Sequence, residues 1–573
     1  MAAGPRTHLL NLTAAPDLHQ RSLTFLLIAV LVAACSADDG KSGKAGNQTA
    51  AATPPASSEP ARGDRLVSAS IGDASNLIPM IAGDASSHAI AGQMYLSLLK
   101  YDKDLNLTGQ LAESWQVATD NLSISFHLRP DLKWTDGKAL TSADCAFTLK
   151  LLLDEHTQSA YKSDFVKVKR VETPDTRTFI VHYDEPYSPA LSSWTGFAIM
   201  PEHVFKGVDI MNTDLSRHPK ATIGPYRLGE WQAQQSIMLT ANPDYFDGPV
   251  WIAERMTRII PDSATQFLEL SAGHLDSMGL TPTQYSRLFE HKEQLKRDYT
   301  RYKYLDFGYT YLGFNLKRAP FDDARVRQAI AYAIDRQEIV DGVLLGLGEA
   351  IATPYKPGTY WVNKDIKVRP YDAAKAKALL VEAGWQDSNG DGVLDKDGKP
   401  LTFTILTNNG NKQRADTATI IQQRLKDVGI ELKVRLVEWS AFIENFINKR
   451  NFDAVILGWS LSPEPDQYSI WHSSQTGARE FNFLTYNNPK VDAALIAATK
   501  TFDRAERKAF YDVVQEQIHE DVPVVFLYAP YSLPVFHKRF HGIEAAPAGI
   551  GWNSEHWFVP QAEQKYSVNA VAP

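Results

Sequence analysis

The stretch PFDDARVRQAIAYAIDR, Pro320 to Arg336, decides how the chain is read. Within it Val326, Ala329, Ile330 and Ala333 recur at helical spacing. A helix over Asp323 to Ile334 with one apolar face follows. Just before it, Tyr311-Leu312-Gly313-Phe314-Asn315 begins a new section with a strand-like apolar run. Downstream, Tyr371-Asp372 opens a helix that runs to Ala383 and stops at Gly384. Thr402 to Leu406, Glu431 to Val437 and Asp453 to Leu457 read as short buried strands. A helix over Thr417 to Val428, ended by Gly429, separates the first two. Strand, helix and strand in that order imply parallel pairing through crossover helices. This half of the chain is α/β.

Working toward the N-terminus, Val67 to Ile71 reads as a first strand. Leu122 to Leu128 and Thr178 to Tyr183 alternate like half-exposed strands, each after a turn, Asp120-Asn121 and Pro174-Asp175. Ser142-Ala143-Asp144 caps a helix through about Leu153. Pro225-Tyr226 opens another strand section, closed by Asn242-Pro243-Asp244. A chain of 573 residues needs two or three cores. Its net charge of -8, without an arginine-rich run, excludes the basic face of a nucleic-acid binder.

Arg21 precedes an apolar stretch from Leu23 to Ala34, too short to span a bilayer and suited to the h-region of a signal peptide. Val32-Ala33-Ala34-Cys35 resembles a bacterial lipobox, which implies cleavage before Cys35 and lipidation of that residue. Ser36 follows, without the aspartate that commonly retains such lipoproteins at the inner membrane. That points to the outer membrane or to a single-membrane host. Residues 1–34 are therefore read as a signal peptide and 35–65 as a disordered tether rich in Ala, Gly, Ser and Pro. Cys145 is left without a partner and reads as a small buried hydrophobe.

The ordered blocks carry a family resemblance. Asn76-Leu77-Ile78-Pro79 comes first, then Tyr95, Leu98, Tyr101 and Asp102. LAESW (Leu111 to Trp115) and FHLRPDLKWTDG (Phe126 to Gly137) follow, then IGPYRL (Ile223 to Leu228) and ANPDYF (Ala241 to Phe246). After Pro320 to Arg336 come LLVEAGW (Leu379 to Trp385), FDAVILGW (Phe452 to Trp459) and YNNPKVD (Tyr486 to Asp492). In number and order they resemble the large extracytoplasmic solute-binding proteins of the oligopeptide, dipeptide and nickel type, family 5. The resemblance implies an α/β, two-lobed periplasmic-binding-protein fold of type II, in its large class with an extra subdomain. Lobe I would take 66–110, 222–310 and 528–573, with 111–221 as the extra subdomain. Lobe II would be 311–527, with hinge strands near 311–316 and 523–529. It further implies a lipid-anchored monomer in the bacterial envelope that delivers peptides to ABC importer permease subunits, with neither catalysis nor a cofactor.

By the same resemblance, Trp439 and Trp459 line the cleft, with core packing as the alternative for either ring. Ser460 offers backbone groups to the peptide, Gly83 and Asp84 form the facing edge, and Tyr528 is a further cleft aromatic. One departure stands out. Where peptide-binding relatives place an aspartate for the peptide ammonium, three residues after Trp459, this chain has Ser462. Glu464 and Asp466 are either its replacements or solvated loop acids. Asp387, Asn389, Asp391 and Gly392 follow the opening of a Ca²⁺ loop, but Gly398 stands where the loop needs a bidentate glutamate, so an Asx-stabilised turn is the competing reading. A nickel chelate, haem or oligosaccharide ligand remains open within the class. Outside it stand an envelope hydrolase without a recognisable motif and a structural lipoprotein. Against an enzyme, there is no GxSxG, HExxH or Walker loop, and the histidines do not cluster at zinc spacing.

Overall fold

The computed structural model describes residues 59–568. The expected signal peptide, Cys35 and most of the expected tether lie outside the described residues. The expected tether boundary at 65 falls inside a strand that begins at Gly63. The reason is electrostatic: Asp64 is fully buried as a partner of Arg539.

Two seven-stranded sheets form the framework. The first runs, in spatial order, Tyr299–Arg301, Pro534–His537, Ser277–Gly279, Gly63–Ser70, Ile252–Ile259, Ser236–Ala241 and Tyr226–Gln232. The second runs Tyr304–Leu305, Val524–Ser532, Gly308–Phe314, Ala454–Ser460, Thr402–Asn408 and Glu431–Val437, with Gly348–Ala350 on the flank of Val524–Ser532. A separate four-stranded antiparallel sheet holds Ala112–Val117, Ser123–Leu128, Thr178–Tyr183 and Val168–Glu172.

The chain passes between the two large sheets at 302–303 and at Leu533. Those points differ by several residues from the expected boundaries at 310/311 and 527/528. The ladder explains the shift, since Tyr304 pairs with Ser532 and Leu305 with Tyr531 inside the second sheet.

The second sheet shows why the apolar runs are continuous there. Along Gly308–Phe314, Leu312 and Phe314 enter one core and Tyr309 and Tyr311 the other, so both faces are covered. Thr402–Asn408 pairs in parallel with Glu431–Val437, as expected for a crossover. The intervening helix is Lys412–Lys426, starting five residues before the apolar pattern because Asn411 caps it by accepting from Arg414 N. Ala324–Ala333 is the helix predicted from the opening stretch. Asp323 accepts from Arg325 N at its start, and Val326, Ala329, Ile330 and Ala333 are fully buried. The helix Ser142–Leu153 is capped by Thr141, whose N–H donates to Asp144, one residue earlier than expected. Cys145 is buried.

One buried ionic knot ties the ends of the described chain. Arg539 donates to Asp64 at 2.9 Å and to Asp276 at 2.8 Å, and Asp276 also accepts from Val67 N at 2.9 Å. All three charged side chains are sealed from water, so removing one partner strands the others. Asp276→Ala should therefore lose about 3–5 kcal/mol of stability in urea unfolding. A loss below about 1 kcal/mol would mean that the knot contributes little beyond packing.

Candidate functional site

A cavity of about 900 Å³ lies where the two large sheets and the four-stranded subdomain meet. The register of the second sheet puts Trp459 and Ser460 at its rim, opposite Tyr309 and Gly308. Trp439 starts the short helix after Glu431–Val437, capped by Glu438, which accepts from the N–H groups of Ser440 and Ala441. From the first sheet's side, Asp84 caps the helix Ala85–Ala91 by accepting from Ser87 N at 3.0 Å. Asp84 also accepts from Ser75 and Ser87 hydroxyls, and its other contact crosses the cleft: Trp439 Nε1 donates to Asp84 Oδ1 at 3.2 Å.

The indole of Trp439 needs a glycine opposite. A Cβ on Gly72 would stand 2.6 Å from Trp439 Cβ, closer than atoms can approach. Gly410 plays the same part further out, where a Cβ would meet the Pro261 carbonyl oxygen. Aromatic rings also meet across the cleft. Tyr161, from the subdomain, makes an edge contact with Phe481 at 5.5 Å, and Phe481 packs on Trp459 at 5.2 Å.

Gly83, Asp84, Trp439, Trp459, Ser460, Ser462, Glu464 and Asp466 all line this one cavity. Both tryptophans are half-buried wall residues and not sealed core. Tyr528 is corrected: it is 1% exposed, does not line the cavity and packs in the core with Leu312 and Ile330. Its side chain packs in the core that holds helices Ala324–Ala333 and Lys412–Lys426. Asp84 stands on the wall, but its oxygens are occupied by the helix cap, the two serines and Trp439.

The acids of the 460s loop behave differently from one another. Glu464 is ion-paired with Arg507 and accepts from Ser192 Oγ at 3.0 Å, a bond between the second sheet's side and the subdomain. Among the described residues, Asp466 accepts only from Tyr468 N, at 3.2 Å. Burial, together with the nearby Glu464 and Asp164 charges, pushes its carboxyl up to about 7. Asp164, which sequence reasoning missed, lines the same cavity, and burial with the Glu464 charge pushes it too up to about 7. Nothing in KSDFV around Asp164 marks it, because its role comes from a contact distant in sequence. Arg414 was missed as well. It lines the cavity, donates to Asn408 Oδ1 at 2.9 Å, leaves its buried Nε without a partner, and burial lowers its pKa.

The suspected cation loop is a set of Asx turns. Asp387 accepts from Gly390 N and Gly392 N, Asn389 from Asp391 N, and Asp391 from Val393 N. Those side-chain oxygens thus serve the loop's own backbone. Among the described residues, Asp247, Glu555 and His556 alone cluster closely enough to hold a metal, and Lys100 already stands 3.5 Å from Glu555.

Two sheets closing over a single cavity, joined by two passes of chain, define a two-lobed binding protein of the periplasmic type. The chain belongs to the bacterial extracellular solute-binding proteins of family 5. The model of that family, described as "Bacterial extracellular solute-binding proteins, family 5 Middle", matches residues 106–480. The oligopeptide-binding protein AppA of Bacillus subtilis is 35% identical over 545 residues, covering 93% of this chain and 97% of that one. The solved structure of Bacillus subtilis AppA in complex with a nonapeptide superposes with a TM-score of 0.83 at 34% identity, covering 87% of this chain and 100% of that one. NikZ from Campylobacter jejuni in complex with Ni(L-His) gives 0.78 at 25% identity, covering 86% and 99%. No described helix is long and apolar enough to cross a membrane.

The raised carboxyls have a stability signature. Burial pushes the carboxyls of Asp164 and Asp466 from 3.8 in the unfolded chain up to about 7 in the fold, so the folded state favours their protonated form. Their contribution is therefore fully present below about pH 4 and is lost as pH rises through 7. Ligand-free protein should melt at progressively lower temperature from pH 5 to 8, and Asp466→Asn should flatten that slope. An unchanged slope in the variant would show that Asp466 is not a proton-holding buried acid.

Proposed function

We propose that this protein captures peptides between its two lobes and hands them to the permease of an ABC importer. The observation that carries the reading is the cavity itself: aromatic walls, carboxylates without an ionic partner and a guanidinium with an unpartnered Nε. A peptide is a zwitterion, with an ammonium for such acids and a carboxylate for such a base. Arg414 would meet the carboxylate, and Asp466 the ammonium, taking the role that Ser462 cannot fill because a hydroxyl bears no charge. Glu464, held by Arg507, would shape the site and not grip the ligand. The indoles of Trp439 and Trp459 would pack on side chains without selecting among them.

The nonapeptide bound by the Bacillus subtilis relative supports a peptide ligand, and a metal chelate of the kind bound by NikZ is the second reading. Binding without catalysis is the role we assign. The placement we infer is the bacterial envelope, with Cys35 carrying the lipid and residues from Ser36 to about Arg62 as tether, the molecule acting as a monomer. Lobe I would be built on the first sheet with 111–221 as its subdomain, and lobe II on the second sheet.

Native mass spectrometry of the full-length protein, before and after mild denaturation, tests the ligand class. A released mixture of short peptides is expected, and Trp459→Ala should weaken rebinding by tenfold or more, about 1.4 kcal/mol. A single released metal chelate would replace the substrate and keep the transport role. Release of nothing, with no stabilisation by any peptide, would overturn the reading.

A further inference from the structure

Asp164 and Asp466 reach the same end of the cavity from opposite sides of the cleft. Asp164 ends the short helical turn Lys162–Asp164 of the subdomain, and that turn packs against the helix Tyr468–Trp471, two residues past Asp466. Each acid lines the cavity.

The surrounding charges do not balance. Among the described residues, three carboxylates, Asp164, Glu464 and Asp466, and one cation, Arg507, interact electrostatically at this end with Tyr101, Tyr187, Tyr355 and Tyr511. Arg507 is committed to Glu464 and to the Tyr511 hydroxyl. Asp466 has the Tyr468 N–H, and Asp164 has the Ser163 hydroxyl at 3.3 Å. Neither makes an ion pair among the described residues. One ligand ammonium therefore satisfies one carboxylate and leaves a second, half-buried acid, which must keep a proton or remain an uncompensated charge.

We propose that Asp164 and Asp466 form a two-cation subsite that selects peptides whose amino end carries a basic side chain in the first or second residue. The α-ammonium occupies one carboxylate and the side-chain cation the other. Because the two acids come from opposite sides of the cleft, such a ligand also bridges them and favours closure over an end that would otherwise repel. This selectivity rests on the peptide reading above.

The test uses full-length protein stripped of ligand, with synthetic pentapeptides identical except for lysine, alanine or glutamate at the first residue. By calorimetry at pH 7, the lysine peptide should bind about tenfold or more tighter than the alanine peptide, the scale of one charge-assisted bond. The glutamate peptide should bind weakest. In Asp164→Asn the lysine-to-alanine ratio should collapse toward one. A second readout needs no variant. Measured in buffers of different ionisation enthalpy, the lysine peptide should release more protons on binding than the alanine peptide, because it displaces the proton that one acid otherwise keeps. Equal affinities, a ratio that survives Asp164→Asn, or equal proton release would overturn the two-cation subsite and leave peptide capture standing. Failure of every peptide to bind would remove the peptide reading itself.

Discussion

Everything in this molecule depends on how few times the chain crosses between its two large sheets. Among the described residues it crosses twice, at 302–303 and at Leu533, and the crossings are neighbours because Tyr304 pairs with Ser532. Two adjacent crossings are an arrangement that permits rotation about one line while each sheet keeps its own core. The cavity takes its lining from both halves. It exists only as a relation between the two halves, and neither half contains a complete site.

The contacts that span the cleft differ in weight. Lys500 pairs with Glu185 at 2.6 Å at the surface, and Ser188 N donates to Thr499 O at 2.7 Å. An exposed ion pair of that kind contributes at most about 1 kcal/mol and is screened by salt. The Trp439 seat against Gly72 and the Tyr161–Phe481–Trp459 file of rings remove apolar surface from water, at about 25 cal/mol per Å². Set against them are the half-buried carboxyls, whose partial desolvation opposes closure of an empty site. Rings and glycine seats set the geometry in which the two sides meet.

Much of this was legible in the sequence, for identifiable reasons. The helix at 324–333 and the strands around Tyr311, Thr402 and Ile456 declared themselves because their apolar periodicity is dictated by burial nearby in the chain. Trp459, Ser460, Asp84 and Trp439 were placed on the cavity wall through ordered family blocks, not through any pattern of their own. What stayed hidden depends on contacts between distant segments. Asp164 becomes a site residue only when the subdomain docks against the 460s loop, and Arg414 because its helix begins earlier than its apolar face. The pairing of Glu464 with Arg507, 43 residues apart, settled which acid is free. Tyr528 was carried to the cleft by the family resemblance alone, and its place in the core with Leu312 and Ile330 depends on packing that sequence position does not reveal.

The file of rings across the cleft bears on time as well as strength. Tyr161 and Phe481 both line the cavity and meet from opposite sides of the cleft, so their contact must part when the two sides separate. The parting of the rings then adds to whatever holds the occupant itself, and departure is slowed by a contact the occupant does not make.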